Sequence, residues 1–247
     1  MVLPSDITDV PGPRTLDRRE GPYGEVVLRR RRGPDGDVHE IIANGCFLMD
    51  TSDGRSERLL IDAALDTLAD RPDPPTGTTG AIATAGPSVL IGGLGVGFSL
   101  AHAAANPAWG RIAVVEREQA IIDWHVSGPL SSITADALAD PRAEIIHTDL
   151  VSYVHNASDT YDALCLDIDN GPDWTVTEDN ASLYSPAGLA ACARRLAPGG
   201  VLAVWSARPS GDFEESLRNA GFNGVRTEEI RVARGVPDVV HLAVRPA

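Results

Sequence analysis

The chain is 247 residues long, with 43% hydrophobic and 23% charged residues, enough for one large core or a core plus a small appendage. A net charge of −14 argues against a nucleic-acid or anionic-membrane partner, because a phosphate surface would be repelled at long range, and favours cationic or neutral substrates. All 21 basic residues are arginine, so the chain has no Schiff-base lysine, which excludes the usual pyridoxal and class I aldolase chemistries.

The N-terminal stretch is polar and proline-containing, with no apolar run of signal-peptide type, and nowhere does the chain approach the roughly eighteen apolar residues of a membrane span. A cytoplasmic protein is expected. Cys46, Cys165 and Cys192 are odd in number, far apart and without CxxC spacing, which fits a reducing compartment and core packing rather than a zinc or disulfide framework. No metal site is expected.

Residues 1–23 read as a loosely ordered arm. Glu25-Val26-Val27-Leu28 runs into Arg29–Arg32, then a Gly33-Pro34-Asp35-Gly36 turn, then His39-Glu40-Ile41-Ile42, which is a hairpin signal. A second tight turn at Asn44-Gly45 precedes Cys46-Phe47-Leu48-Met49, so residues 24–50 predict a small three-stranded antiparallel unit. The four arginines alternate faces on a strand, and solvated protection of a sheet edge is their expected role. Leu59, Leu60, Ala63, Ala64 and Leu68 then mark a helix over 57–69, grouped with the small unit as residues 24–70. Residues 71–87, rich in Pro, Gly and Thr, form a linker.

From Ser88 to the end, residues 88–247, short apolar strands alternate with helical segments. Strands are expected at 89–91, 112–115, 144–147, 161–166 and 201–205, and helices at 98–105, 119–125, 186–196 and 213–220. The alternation predicts an α/β domain with a mainly parallel, Rossmann-like sheet and helices on both faces. Two closing strands, 225–232 and 239–244, are joined by a turn around Gly235-Val236-Pro237-Asp238. Residues 127–136 and 171–180 read as flexible loops on the ligand side.

The strongest local signal is Val89-Leu90-Ile91-Gly92-Gly93-Leu94-Gly95-Val96-Gly97, a buried strand emptying into glycines that open a helix. Such a turn lets a ligand approach the backbone without meeting a Cβ. The spacing Gly93-x-Gly95-x-Gly97 suits S-adenosylmethionine better than NAD, whose GxGxxG form would need glycine at Phe98. Glu116, about twenty residues on, ends the second strand where a carboxylate can take both ribose hydroxyls. Asp149 ends the third, placed to accept from an adenine amino group. Their neighbours Arg117 and Leu150 are expected to complete the cofactor contacts. The fourth strand delivers Asp167-Ile168-Asp169-Asn170-Gly171-Pro172 to the carboxyl edge, and a period of two would put Asp167 and Asp169 on one side, able to take an amine's proton. Trp174 and Tyr184 are read equally as pocket lining or loop anchors.

In order and spacing, these residues resemble the spermidine synthase (polyamine aminopropyltransferase) family over roughly residues 24–246. The parallels are the Asn44-Gly45 turn, the helix after Glu57, the Gly92–Gly97 loop, Val115-Glu116, Thr148-Asp149, and Tyr161-Asp162 leading to Asp167. The resemblance implies a class I S-adenosylmethionine-dependent methyltransferase fold behind a small β-domain, decarboxylated S-adenosylmethionine as donor, and a homodimer. It makes Glu116 the ribose ligand, Asp149 the adenine contact and Asp167 the catalytic carboxylate. The sequence departs from the family at Gly95 and Asn170, where members have aspartate, and at Leu48 and Glu57, where they have glutamine and tyrosine. It departs again at Gly188-Leu189, where they have a Phe-Tyr pair.

These departures point to a changed acceptor and leave the donor open between S-adenosylmethionine and its decarboxylated form. The sequence reading is therefore a transferase moving an aminopropyl or methyl group to a small-molecule acceptor, with Asp167 and Asp169 catalytic and Leu48, Glu57, Asn170, Trp174 and Tyr184 facing the acceptor. Two alternatives stand beside it: a small-molecule methyltransferase, and a non-catalytic nucleoside-binding protein on the same scaffold.

Overall fold

A computed structural model describes residues 12–70, 86–175, 178–230 and 236–247. The chain divides into two compact units, one ending at Asp53 and the other beginning at Gly54.

In the smaller unit β1 (Arg14–Gly21), β2 (Gly24–Gly33), β3 (Gly36–Ala43) and β4 (Cys46–Asp50) form an antiparallel sheet in sequential order. The extra strand, β1, comes from the stretch read as an arm. Its polar sequence, Arg-Thr-Leu-Asp-Arg-Arg-Glu-Gly, hides the strand, which is held by ladder bonds to β2 rather than by an apolar face. Asn44 and Gly45, at φ 50° and 78°, make the tight turn expected of that dipeptide. The arginine run does not guard an edge: β2 lies between β1 and β3. The four do alternate faces, and each face finds acids across the ladder. Arg29 and Arg31 both reach Glu40 at 2.7 Å, Arg31 also reaches Asp50 at 2.6 Å, and Arg30 and Arg32 pair with Asp37. Cys46, expected in a core, is exposed at the start of β4, whereas Cys165 and Cys192 are buried.

In the larger unit the described strands form one sheet in the order β10-β11-β9-β8-β5-β6-β7, with β5 Ser88–Gly92, β6 Arg111–Glu116, β7 Ala143–His147, β8 Tyr161–Leu166, β9 Leu196–Ser206, β10 Asn223–Ile230 and β11 Asp238–Val244. Strands β5 to β9 pair in parallel, while β11 runs antiparallel to β9, and β10 to β11. Every residue of β8 is buried, as are Val89, Leu90 and Ile91 of β5, which is why these strands read as continuous apolar runs. Gly235 of the expected closing turn, and most of the linker, lie outside the described residues.

Helix α1 (Arg55–Ala69) buries Leu60, Ile61, Ala64 and Leu68 at helical spacing and packs on β8, β9 and β11, so it belongs to the larger unit rather than the smaller. With α2 (Phe98–Ala105) and α4 (Ser131–Ala139) it covers one face of the sheet. The other carries α5 (Leu150–Asn156), α6 (Pro186–Arg195) and α7 (Gly211–Asn219) over a core of Leu90, Leu164, Leu166, Leu202, Val204 and Phe213. Helix α3 (Gln119–Val126) leads into α4. Most of the stretch read as a loop at 127–136 is therefore helical from Ser131 on. The segment Ser-Ser-Ile-Thr-Ala-Asp-Ala-Leu-Ala has too few large apolar residues to show a helical period, and it buries only Thr134 and Ala137.

The first strand of this sheet, β5, sits centrally with β6 on one side and β8 on the other. That is the topological switch point, where the loops leaving adjacent strands diverge and a crevice opens at the carboxyl ends. No helix among the described residues is long and apolar enough to cross a membrane.

Candidate functional site

The chain leaves β5 at Gly92 and turns through Gly93, Gly95 and Gly97, at φ 93°, 50° and 92°, before α2 begins. At Gly93 a side chain is excluded twice over: the backbone is left-handed, and a Cβ would sit 2.6 Å from the Asp167 carbonyl oxygen. The neighbouring strand ends are stitched to this turn. Gly93 N–H donates to the Val115 carbonyl at 3.0 Å, and Asp167 N–H donates to the Gly92 carbonyl at 2.9 Å.

Glu116, the last residue of β6, is 6% exposed. Its Oε2 accepts from Leu94 N–H at 3.0 Å, in the glycine turn, and its Oε1 accepts from Glu118 N–H at 2.8 Å. Burial pushes its pKa up, and the backbone donors oppose that shift. Thr148 N–H donates to the Glu116 carbonyl at 3.1 Å, which sets the start of α5 beside it. Asp149 caps that helix, its Oδ1 accepting from Ser152 N–H at 2.8 Å, so one of its oxygens is committed to local structure. Leu150 is buried and leans against Gly92, whose absent Cβ would lie 2.6 Å from Leu150 Cδ2. The carbonyl of Arg117 accepts from His147 Nε2 at 3.0 Å, and its guanidinium faces Glu118 at 3.5 Å.

Asp167 follows the last residue of β8. The Ser99 hydroxyl, in the first turn of α2, donates to its Oδ2 at 3.3 Å. Burial, reinforced by the negative charge of Glu57, pushes its carboxyl up to about 7, while the Ser99 hydroxyl pulls the other way. Glu57 itself is 6% exposed in the first turn of α1. The helix runs along β8, with the Cys165 thiol 3.9 Å from the Leu60 carbonyl, so Glu57, one turn earlier, stands toward the strand end that carries Asp167. Two carboxyl groups thus share a largely dry environment.

Asp169 does not continue the strand alternation. Strand β8 ends at Leu166, and Asp169 takes a left-handed φ of 53°, its Oδ2 accepting from Asn180 Nδ2 at 2.8 Å. A period of two therefore does not carry the side of Asp167 over to Asp169. Asn170 holds the following turn through its backbone, donating to the Trp174 carbonyl at 3.2 Å and accepting from Ala207 N–H at 3.3 Å. Trp174 is 61% exposed, whereas Tyr184 is buried edge-on against Phe213 at 5.5 Å, with burial and the negative charges of Asp169 and Asp167 pushing the pKa of its hydroxyl up. Leu48 lies on β4 of the smaller unit.

The structure therefore gathers Gly93, Gly95, Gly97, Glu116, Asp149, Leu150 and Asp167 around the switch point, with Glu57 beside Asp167. Sequence reasoning missed Ser99, which a hydroxyl two residues past the glycine turn could have suggested, and His125, which has no motif.

No protein-family profile matches the chain. Among curated proteins, it is 31% identical over 125 residues to polyamine aminopropyltransferases of Mycobacterium tuberculosis and Mycobacterium bovis. That segment is 49% of this chain but 23% of those relatives, so the likeness covers less than a quarter of their length. Among solved structures, a spermidine synthase in complex with the transition-state analogue AdoDATO superimposes with a TM-score of 0.71 at 18% identity, over 94% of this chain and 74% of the other. Spermidine synthase from Thermotoga maritima gives 0.69 at 17% identity, over 94% and 73%.

Proposed function

On the premise that this chain has a spermidine-synthase fold and is similar in sequence to polyamine aminopropyltransferases along 49% of its length, we propose that it transfers an aminopropyl group from decarboxylated S-adenosylmethionine to a small amine. The observation that carries the reading is the placement of Glu116 and Asp167 at the ends of β6 and β8, on either side of the glycine turn that ends β5. One carboxylate is locked to the turn, and the other is desolvated toward neutral pH.

In this reading the turn receives the adenosyl group, Glu116 accepts from the ribose hydroxyls, and Asp149 uses the oxygen not engaged in capping to accept from the adenine amino group. The acceptor nitrogen attacks the carbon bonded to the sulfonium. A C–N bond forms, the C–S bond breaks, and its electron pair returns to sulfur, which leaves as the neutral thioether methylthioadenosine. The nitrogen's surplus proton passes to Asp167, whose pKa near 7 suits a base working at neutral pH. The remainder is positioning: displacement gains most from holding nucleophile and carbon in line.

Calorimetry with decarboxylated S-adenosylmethionine, S-adenosylmethionine and NADH, followed by product analysis with candidate amines, tests the proposal. Release of methylthioadenosine supports aminopropyl transfer, and release of S-adenosylhomocysteine reassigns the transferred group as methyl. Binding of NADH with no adenosyl sulfonium bound would overturn the reading.

A further inference from the structure

We propose that His125 is the positioning residue of the glycine turn, acting through the Gly95 carbonyl; the inference rests on that turn being the donor-binding element. A turn carrying three left-handed glycines has few side chains to hold it and loses much conformational entropy on ordering, so something must fix its apex. The base of the turn is held by Gly93 N–H on Val115, by Leu94 N–H on Glu116, and by Gly97 N–H on the Leu94 carbonyl at 2.9 Å. The apex is held from below by the imidazole of His125, 1% exposed at the end of α3, whose Nε2 lies 2.9 Å from the Gly95 carbonyl oxygen.

A carbonyl only accepts, so Nε2 carries the proton. Burial pulls the imidazole's pKa below its usual value, against the backbone oxygens of Gly95 and Leu130, and leaves the ring neutral. Nδ1 is then an acceptor, filled by the hydroxyl of Thr134, 3.0 Å away and fully buried on α4. The Gly95 carbonyl therefore sets the tautomer, Thr134 holds the ring plane, and the ring turns the Gly95 oxygen into the protein. The fit is close on its other side too, since a Cβ at Gly97 would meet Thr134 Cγ2 at 2.5 Å and His125 Cε1 at 2.7 Å. The threonine, the histidine and the glycine turn form one stack, through which α4 touches the turn.

The test compares wild type, His125→Leu, His125→Gln and Thr134→Val. Gln restores a side-chain N–H for the Gly95 oxygen, and Val removes the hydroxyl while keeping the shape. Amide hydrogen exchange is read over residues 93–97 against β5 as an internal reference, alongside calorimetry with S-adenosylmethionine and methylthioadenosine. Exchange in 93–97 should quicken relative to β5 in the Leu variant and recover in the Gln variant. Affinity for the adenosyl ligand should fall about 10-fold in the Leu variant, the loss of one hydrogen bond's worth of ordering, and to within about 3-fold of wild type with Gln. If the Leu variant does not fold, the same local quickening in Thr134→Val supports the assignment. Equal protection of 93–97 relative to β5 in the folded variants overturns it. Failure of wild type to bind any adenosyl compound removes the proposed function instead, and the exchange comparison still decides the role of His125.

Discussion

The Glu116 carboxylate accepts the Leu94 N–H at 3.0 Å, which ties the end of β6 to the turn that leaves β5. A side chain that orients the turn and presents a buried acceptor beside it does two things at once, and a single substitution separates them. In Glu116→Gln the amide oxygen can still accept from Leu94, but the NH₂ group faces the Glu118 N–H, now donor against donor. The protein is expected to fold with a stability loss of about 1–3 kcal/mol, the usual penalty for a buried donor left unmade. Affinity for methylthioadenosine should drop about 10- to 100-fold, since a hydrogen bond to a charged acceptor contributes about 1.5–3 kcal/mol. Denaturation curves and calorimetry on the same sample check both. Unchanged affinity would remove Glu116 from the ligand site.

Gly93→Ala probes the other seam. The new methyl would stand 2.6 Å from the Asp167 backbone oxygen, so the chain must shift just past the end of β8, on top of the strain of a left-handed alanine. Gly221→Ala is the control: its φ is 88°, but nothing lies within 4 Å of the added carbon. The control should lose about 1–2 kcal/mol of stability, the cost of an L-residue in a left-handed conformation. Gly93→Ala should lose more and should also lower turnover, because Asp167 moves with its carbonyl. Equal melting temperatures and equal activities in the two variants would show that the close approach is unimportant.

The parallel strands were legible because burial on both faces writes them as unbroken apolar runs, and β8, Tyr-Asp-Ala-Leu-Cys-Leu, was found at its observed bounds. The glycine turn was legible because left-handed backbone selects glycine. What stayed hidden was structure held by means other than apolar periodicity. Strand β1 is polar and rests on ladder bonds; α4 packs with Thr134 and alanine; α5 spans only 7 residues behind its Asp149 cap. In the site, Glu116 and Asp167 could be placed because each ends a recognisable strand. The left-handed conformation of Asp169 was not legible, because the turn after Leu166 abandons the period from which its side was inferred.

The three cysteines should separate by reactivity. Cys46 is exposed, whereas burial pushes the Cys192 thiol up to about 12 and the Cys165 thiol higher still. A thiolate is the reactive form, so at pH 8 a disulfide reagent should modify one thiol quickly in the native protein and three in denaturant. Cys46→Ser should abolish the fast phase. Rapid modification of a second thiol in that variant would mean that the sheet over α1 or α6 opens more readily than its packing implies.

Asp167 gives the clearest pH signature. In the unfolded chain its carboxyl ionises near the ordinary aspartate value, while in the fold burial and Glu57 keep it protonated up to about 7. Between those limits the unfolded state has released a proton that the folded state retains, so this group's contribution to stability falls as pH rises from about 4 to 7 and is flat above. Asp167→Asn, which cannot ionise, should thus match wild type in stability at pH 4 and exceed it by about 4 kcal/mol at pH 8, an order-of-magnitude figure from the linkage relation. The same variant should lose about 100- to 10,000-fold in turnover, the usual scale for a missing general base. In wild type, kcat/KM should rise with pH through about 7, because it reports the free enzyme. The kcat profile should break at lower pH, since a bound sulfonium favours the ionised carboxylate. A stability gain in the Asn variant with turnover unchanged would leave Asp167 as a strained structural residue and transfer the base role elsewhere; Glu57, its buried neighbour, would then be the residue to replace.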